Sequence, residues 1–114
     1  MATALITGAS QGIGACIAER LAKDGYNIAI NHYPSDGDKA NAEKVAETCR
    51  SYGVEVALFP ANVADYAQCE EMVKAVKKQF GSIDALVNNA GITKDGLLLR
   101  MSEEQYDAVI AVNQ

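Results

Sequence analysis

Three glycines near the amino terminus stand where a strand-like run gives way to a helical pattern. Gly8, Gly12 and Gly14 lie in the segment Thr7-Gly8-Ala9-Ser10-Gln11-Gly12-Ile13-Gly14, directly after the apolar run Ala4-Leu5-Ile6. Glycine is needed where a Cβ would keep a ligand from the backbone, and the N–H groups of a helix's first turn attract anions. The segment therefore predicts a loop that binds a phosphate or pyrophosphate group. The alternative is a tight strand-to-helix turn without a ligand.

Asparagines form a second group of candidate functional residues. The turn Asn88-Asn89-Ala90-Gly91 follows the apolar run Ala85-Leu86-Val87, and its paired amides can satisfy loop backbone groups or contact a ligand. Asn113 comes seven residues after Tyr106, on the apolar face of a predicted helix with Val109 and Ile110. Burying an amide without partners costs about 1 to 3 kcal/mol. Asn113 is therefore either a chemical group or a structural amide at the end of that helix.

Short apolar runs alternate along the chain with helical patterns. Strands are predicted around residues 4–6, 28–30, 54–59 and 85–87, and the first three helices stop at the evenly spaced Gly25, Gly53 and Gly81. The first helix carries the apolar stripe Ile13, Cys16, Ile17 and Leu21, and a capping box at residues 102–105 opens a fourth helix. Right-handed crossovers give an α/β fold with the strand order 3-2-1-4, the N-terminal half of a Rossmann-type doubly wound parallel sheet. Ligand is expected beyond the carboxyl ends of strands 1 and 4.

Composition narrows the class of protein. The 114 residues are 49% hydrophobic and 22% charged, as in one globular domain. A net charge of −5 with no basic block argues against nucleic acid as a partner, and no apolar run approaches the length of a membrane span, so we expect a cytoplasmic protein. The odd set Cys16, Cys49 and Cys69 predicts no metal site and no disulfide; each is expected to be a small buried hydrophobe.

Two motifs in the right order resemble those of the short-chain dehydrogenase/reductase family. The family's glycine motif T-G-x-x-x-G-x-G is matched from Thr7 to Gly14, and its N-N-A-G motif by Asn88 to Gly91. Residues 86–101 are similar to the reductases of that family that act on 3-oxoacyl groups carried by acyl-carrier protein. The resemblance covers the whole chain. It implies NADPH-dependent reduction of a 3-oxoacyl thioester, on acyl-carrier protein or a CoA-type carrier, to the 3-hydroxyacyl form in fatty-acid synthesis, by a homo-oligomer that is a tetramer in the family.

The resemblance also implies which residues hold the cofactor. Around the pyrophosphate and the adenosine ribose it places Gly8, Ser10, Gln11, Gly12, Ile13 and Gly14. Beside the adenine it places Asn62 and Val63, and on the nicotinamide side Asn89, Ala90, Gly91 and Val112. Asn113 corresponds to the family's catalytic asparagine, which helps to hold a water in a proton relay.

The end of the second strand, Asn31-His32-Tyr33, is expected to contact the cofactor and bears on the choice between two cofactors. Asn31-His32 stands where an acid would be needed to bind the ribose 2′-hydroxyl and repel a phosphate, so we predict NADP(H) rather than NAD(H). Gln11 stands where these reductases often carry Arg. The positive contact to a 2′-phosphate then falls to His32, Tyr33 or Lys39, although His32 can equally be a solvated loop residue.

The proton donor that the resemblance implies is missing from this sequence. In the family a Tyr and a Lys spaced as Y-x-x-x-K supply the proton, and none of the five tyrosines here has a lysine four residues later. We therefore expect residues 1–114 to be the nucleotide-binding N-terminal part of a single domain, truncated before its catalytic Ser, Tyr and Lys and inactive alone. We also expect it to self-associate through the unpaired outer edge of its fourth strand.

Other functions stay open at this point. The chain can be a non-catalytic nucleotide-binding or regulatory module, or a short-chain reductase of another carbonyl substrate. Another wound-sheet enzyme, such as a methyltransferase, fits less well, because the Asn-Asn-Ala-Gly turn argues against it.

Overall fold

A parallel sheet with helices on both faces organises the part of the chain that the computed structural model describes, residues 2–89 and 108–111. Its elements follow the order β1 (Thr3–Ile6), α1 (Gly12–Lys23), β2 (Asn27–His32), α2 (Asp36–Arg50), β3 (Val56–Pro60), α3 (Tyr66–Phe80), β4 (Ala85–Asn88) and β5 (Ala108–Ala111). The strands lie in the order β3-β2-β1-β4-β5, and each neighbouring pair is parallel. The predicted order of the first four strands is confirmed.

The two faces of the sheet bury different residues of the same strands. Ile6, Ile28 and Ile30 belong to one core cluster, with the buried residues of α1 and α2. Leu5, Ala29 and Leu86 belong to the other, with those of α3. Strands buried on both faces need apolar side chains at successive positions, which explains the continuous apolar runs in the sequence. The strand order reverses direction between β1 and β4, and this is where a parallel α/β sheet opens a cleft at its carboxyl edge.

Helix α1 buries a face that the apolar stripe did not predict. Its buried residues are the small ones, Gly14, Ala15, Ala18 and Ala22. Ile13 is 51% exposed, Cys16 is exposed, and Ile17 and Leu21 are only partly buried against the core. The prediction that Cys16 is buried is therefore wrong. Small side chains let the helix axis lie close to the sheet, and a search for large apolar residues misses such a face.

Helices α2 and α3 form as the sequence predicts, with α2 ending at Arg50, three residues before Gly53, and α3 ending at Phe80, directly before Gly81. Asp65 caps α3 by accepting a hydrogen bond from the backbone N–H of Gln68 at 3.2 Å, and Gly81 ends the helix in the left-handed region. Cys49 and Cys69 are buried as predicted, and burial, with a smaller contribution from Glu19, raises the pKa of the Cys49 thiol to about 11. Within residues 2–89 and 108–111, no helix is long and apolar enough to cross a membrane.

The predicted fourth helix is wrong at residues 108–111, which form β5 and pair with β4. The segment Ala108-Val109-Ile110-Ala111 is a short apolar run with two β-branched residues, and periodicity alone does not distinguish a strand from a helix in such a run. Pairing with β5 also satisfies the outer edge of β4. The premise of the predicted self-association, an unpaired edge on β4, is therefore wrong.

Candidate functional site

The glycine loop joins β1 to α1 at the carboxyl edge of the sheet. Gly8 and Gly12 adopt φ angles of 62° and 61°, in the left-handed region that favours glycine. Gln11 is the N-cap of α1, but its side chain makes no capping hydrogen bond, and the first turn of α1 carries no acid. Helices α2 and α3 differ, since Ser35 and Asp65 cap them with side-chain oxygens. The start of α1 thus combines uncapped backbone N–H groups with the positive end of the helix dipole, an arrangement suited to an anion.

Two buried amides hold Gly8 from opposite sides. The Oδ1 atom of Asn31, on β2, accepts a hydrogen bond from the Gly8 N–H at 3.1 Å. The Nδ2 atom of Asn89, just after β4, donates to the Gly8 carbonyl oxygen at 3.1 Å. We call this pair of contacts the amide clamp. Because the clamp engages both backbone groups of Gly8 from the strands on either side of β1, it fixes the loop to the sheet.

Each asparagine of the amide clamp is anchored by further hydrogen bonds. Asn31 Nδ2 donates to the carbonyl oxygens of Phe59 and Ala61 at 3.2 and 3.1 Å, so its side chain also ties β2 to the end of β3. The backbone N–H of Asn89 donates to the Thr7 hydroxyl at 2.9 Å. A buried amide with its hydrogen bonds made has one orientation, and the clamp therefore positions the loop without a charge.

The third glycine of the motif is required by close packing rather than by its backbone angle. A Cβ placed on Gly14 would overlap the Nδ2 atom of Asn89 and the carbonyl oxygen of Gly8. Around Gly12, in contrast, no atom other than those of its chain neighbours and its own helix backbone lies within 4 Å of the position that a Cβ would take. Gly14 thus lets α1 pack onto the amide clamp, whereas Gly12 leaves open space above the loop.

A cleft of about 310 Å³ opens between the glycine loop and the ends of β2 and β3. Its walls include seven residues that the sequence assigned to the cofactor: Gly8, Ser10, Gln11, Asn31, Tyr33, Asn62 and Val63. Ala61, Ala64 and Asp38 complete the lining and were not predicted. The structure thus brings together residues from three separate segments of the chain.

Asp38 is the charged side chain among the described residues that line this cleft. It lies in the first turn of α2 and is half-buried. Its Oδ1 accepts from the Ser10 hydroxyl at 2.6 Å, and its Oδ2 accepts from the Tyr33 N–H at 2.6 Å. A sequence signal for it exists: Ser35 and Asp38 have the spacing of a capping box, in which the acid turns back over the start of the helix. In the structure, Ser35 Oγ accepts from the Asp38 N–H at 3.2 Å.

Other predicted site residues lie elsewhere. His32 is only 2% exposed, its Nδ1 lies 2.8 Å from the Tyr33 carbonyl oxygen, and it lines an adjoining cavity together with Lys39. The interpretation of His32 as a solvated loop residue is therefore wrong. Gly12 and Ile13 are exposed, outside the cleft lining, while Gly14 is buried beneath the loop. Ala90, Gly91, Val112 and Asn113 lie outside the described residues.

Strand order, glycine loop and carboxyl-edge cleft together define a Rossmann-type fold. The chain belongs to the short-chain dehydrogenase family, whose sequence model matches residues 2–114. It is 53% identical over 111 residues to the 3-oxoacyl-[acyl-carrier-protein] reductase FabG of Staphylococcus epidermidis, an alignment that covers 97% of this chain and 44% of that protein. The chain thus spans less than half the length of this curated relative.

Two solved structures extend the comparison to bound cofactors. A short chain dehydrogenase from Burkholderia cenocepacia in complex with NADP matches with a TM-score of 0.73 and 36% identity, over 87% of this chain and 44% of that one. An NAD⁺-bound xylitol dehydrogenase matches with a TM-score of 0.73 and 34% identity, over 80% of this chain and 34% of that one. Similar folds therefore hold either dinucleotide.

Proposed function

We propose that this chain is the nucleotide-binding part of a reductase that converts a 3-oxoacyl thioester on acyl-carrier protein, or on a CoA-type carrier, to the 3-hydroxyacyl form in fatty-acid synthesis. The observation that carries the proposal is the 53% identity to such a reductase across 97% of the chain. Residues 1–114 then form one nucleotide-binding unit of a single domain. The carrier would be a partner of the whole protein, and a homo-oligomeric assembly belongs to the same proposal.

The residues at the carboxyl edge fit a dinucleotide. The open space around Gly12 leaves room for a ligand over the loop, and the uncapped start of α1 offers N–H groups to a pyrophosphate. Ser10 and Asn62 line the cleft beside the loop, where they would hold the adenosine half. A bound nicotinamide dinucleotide would supply the hydride for reduction of the carbonyl. The amide clamp keeps the loop in place for it, since both backbone groups of Gly8 are already engaged.

The cofactor within this proposal is NADP(H). The neutral end of β2, Asn31-His32, and the NADP complex of a relative support it. His32 is buried, so Lys39 becomes the candidate cation for the 2′-phosphate. Lys39 is exposed, lines the adjoining cavity and directly follows Asp38, which lies at the cleft wall. Lys39 is therefore the proposed contact for a 2′-phosphate.

Turnover needs groups that this chain does not hold. Reduction of a ketone leaves an alkoxide, and no tyrosine here is followed four residues later by a lysine that would lower its pKa. Asn113 is proposed to help hold a water in the proton relay, and an amide does not itself supply the proton. We therefore propose that residues 1–114 bind the cofactor but do not oxidise NADPH with a 3-oxoacyl thioester.

A pair of glycine variants tests the binding site. Gly12 and Gly25 both have positive φ angles, 61° and 99°, and open space at the Cβ position, but only Gly12 lies on the loop. Each change to Ala costs about 1 to 2 kcal/mol of backbone strain. We expect Gly12→Ala to weaken NADPH binding by about tenfold or more, because its Cβ enters the ligand space, and Gly25→Ala to leave it unchanged. Titration by cofactor fluorescence measures both, and equal effects would refute the site.

A further inference from the structure

The cleft carries a charge that the end of β2 does not. Where a dinucleotide-binding fold commonly places an acid for the ribose, this chain has Asn31, and the amide of Asn31 is used by the clamp. Asp38 instead reaches the cleft from the first turn of α2. The acid is therefore supplied by a different element, at the wall formed by Ser10 and Tyr33.

The contacts of Asp38 set its position at the edge of the loop. One carboxylate oxygen holds the Ser10 hydroxyl and the other holds the Tyr33 N–H, both at 2.6 Å. Hydrogen bonds to an ionised carboxylate are short and strong, and a negative charge in a helix's first turn is favoured by the dipole. These two contacts place the Asp38 carboxylate beside the residues proposed to hold the adenosine half.

We propose that Asp38 is a cofactor-selectivity residue, which favours a ribose with free hydroxyls and disfavours one that carries a 2′-phosphate. This inference rests on the proposed function of the cleft. A carboxylate accepts hydrogen bonds from ribose hydroxyls, whereas it repels a phosphate of about two negative charges. Asp38 therefore opposes the NADP(H) preference, and the wild-type ratio of affinities is a balance between Asp38 and its neighbour Lys39.

The same turn of α2 provides a matched control. Asp36 has the same charge and is exposed, but it lines the adjoining cavity rather than the cleft. Asp36→Asn and Asp38→Asn therefore remove the same charge from the same helix end. An effect of net charge or of the helix dipole appears in both variants, whereas an effect of the cleft contact appears only in Asp38→Asn.

The experiment is a fluorescence titration of the 114-residue chain and its variants with NADPH and with NADH. The chain contains no tryptophan, so the cofactor signal has no tryptophan background. We expect Asp38→Asn to raise the ratio of NADPH to NADH affinity by about tenfold, the size expected for a partly screened charge. Asp36→Asn should change that ratio by less than about twofold, because exposed charges at a distance are screened.

Circular dichroism checks whether Asp38→Asn folds. If it does not fold, the charge-conserving variant Asp38→Glu keeps the test decisive. Asp38→Glu should keep the affinity ratio within about threefold of the wild type, because the charge stays at the cleft wall. An unchanged ratio in folded Asp38→Asn, or a tenfold rise in Asp38→Glu, overturns the selectivity role. Failure of the wild type to bind either cofactor instead refutes the proposed function, and the inference with it.

Discussion

The glycine loop is held at two positions, Gly8 and Ser10, by different kinds of contact. At Gly8 the amide clamp uses two neutral, buried side chains from β2 and from the end of β4. At Ser10 the partner is a single half-buried carboxylate from α2. Neutral buried amides fix a shape whatever the ligand's charge, whereas a charge at the wall distinguishes one ligand from another. The clamp residues therefore shape the site, whereas Asp38 is the residue proposed to select between its ligands.

The largest effect is expected where the clamp meets α1. In Gly14→Ala the new Cβ would overlap both the Asn89 amide and the Gly8 carbonyl oxygen, one of which is backbone. We expect a loss of about 3 kcal/mol in the free energy of unfolding, together with loss of binding of both cofactors. Urea unfolding followed by circular dichroism measures the first quantity, and cofactor titration the second.

Gly37 is the control for that change, because it also lies in a helix and has no atom from outside its own helix within 4 Å of its Cβ position. Gly37→Ala should stabilise the chain by up to about 1 kcal/mol, as expected for alanine in a helix. If Gly14→Ala is as stable as Gly37→Ala, the inference that α1 packs too closely on the clamp to admit a Cβ at Gly14 is wrong.

The second-largest effect is expected when a side chain of the amide clamp is removed. Asn31→Ala leaves the Gly8 N–H and the Phe59 and Ala61 carbonyl oxygens without their side-chain partner. We expect a loss of about 2 kcal/mol in stability. NADPH and NADH binding should weaken by the same factor, because the lost contact is neutral. Unfolding and titration measurements together distinguish this result from the change of ratio expected at Asp38.

A second buried asparagine of β2 makes this comparison specific. Asn27 accepts a hydrogen bond from the Glu55 N–H at 3.0 Å, at the opposite end of the strand from the loop. Asn27→Ala should cost about 1 kcal/mol and leave both affinities unchanged. Weaker binding in Asn27→Ala of the same size as in Asn31→Ala would mean that stability alone, and not the clamp, controls the site.

Much of this arrangement follows from the sequence. The spacing of Gly8, Gly12 and Gly14 after an apolar run predicts the loop, and the evenly spaced stop glycines predict the wound sheet. These signals are local, since each depends on residues within one turn or one element. The order of the first four strands then follows from the handedness of the crossovers.

Contacts between distant segments are what the sequence does not reveal. Asp38 and Ser10 meet only because α2 starts beside the loop, and the two asparagines of the clamp are 58 positions apart, from 31 to 89. The buried face of α1 does not show in a hydrophobic pattern for another reason, because it consists of glycine and alanine and alanine carries little weight in such a pattern. Residues 108–111 form a strand rather than the predicted helix, and a four-residue apolar run fits the periodicity of either element.

The smallest expected effect concerns two cysteines outside the loop, of which Cys16 is exposed and Cys49 is buried. Burial raises the pKa of Cys49 from 9.0 to about 11, so about one thiol in a thousand is ionised at pH 8. Iodoacetamide should therefore label exposed Cys16 in the native chain and Cys49 only after unfolding. Peptide mass spectrometry measures the order in which the two cysteines are labelled. Labelling of Cys49 before Cys16 in the native chain would contradict this expectation.

The same shift has a consequence for stability in alkali. Because the folded pKa of Cys49 lies above its usual value of 9.0, its stabilising contribution is complete below pH 9 and is lost as pH rises towards about 11. The difference in unfolding free energy between wild type and Cys49→Ala should therefore narrow between pH 8 and pH 10. Urea titrations at the two pH values measure this difference in unfolding free energy. A difference that stays constant would argue against a raised pKa of the Cys49 thiol.

The central claim, that the carboxyl edge of the sheet binds a nicotinamide dinucleotide, is tested most directly by nuclear magnetic resonance of the ¹⁵N-labelled chain during titration with NADPH. The loop carries Gly8, Gly12 and Gly14 at one edge of the sheet, while Gly25, Gly53 and Gly81 precede strands at the other edge. We expect the amide signals of the three loop glycines to shift and those of the other three to stay in place. Shifts confined to Gly25, Gly53 and Gly81, or none at the loop at saturating NADPH, would contradict the account.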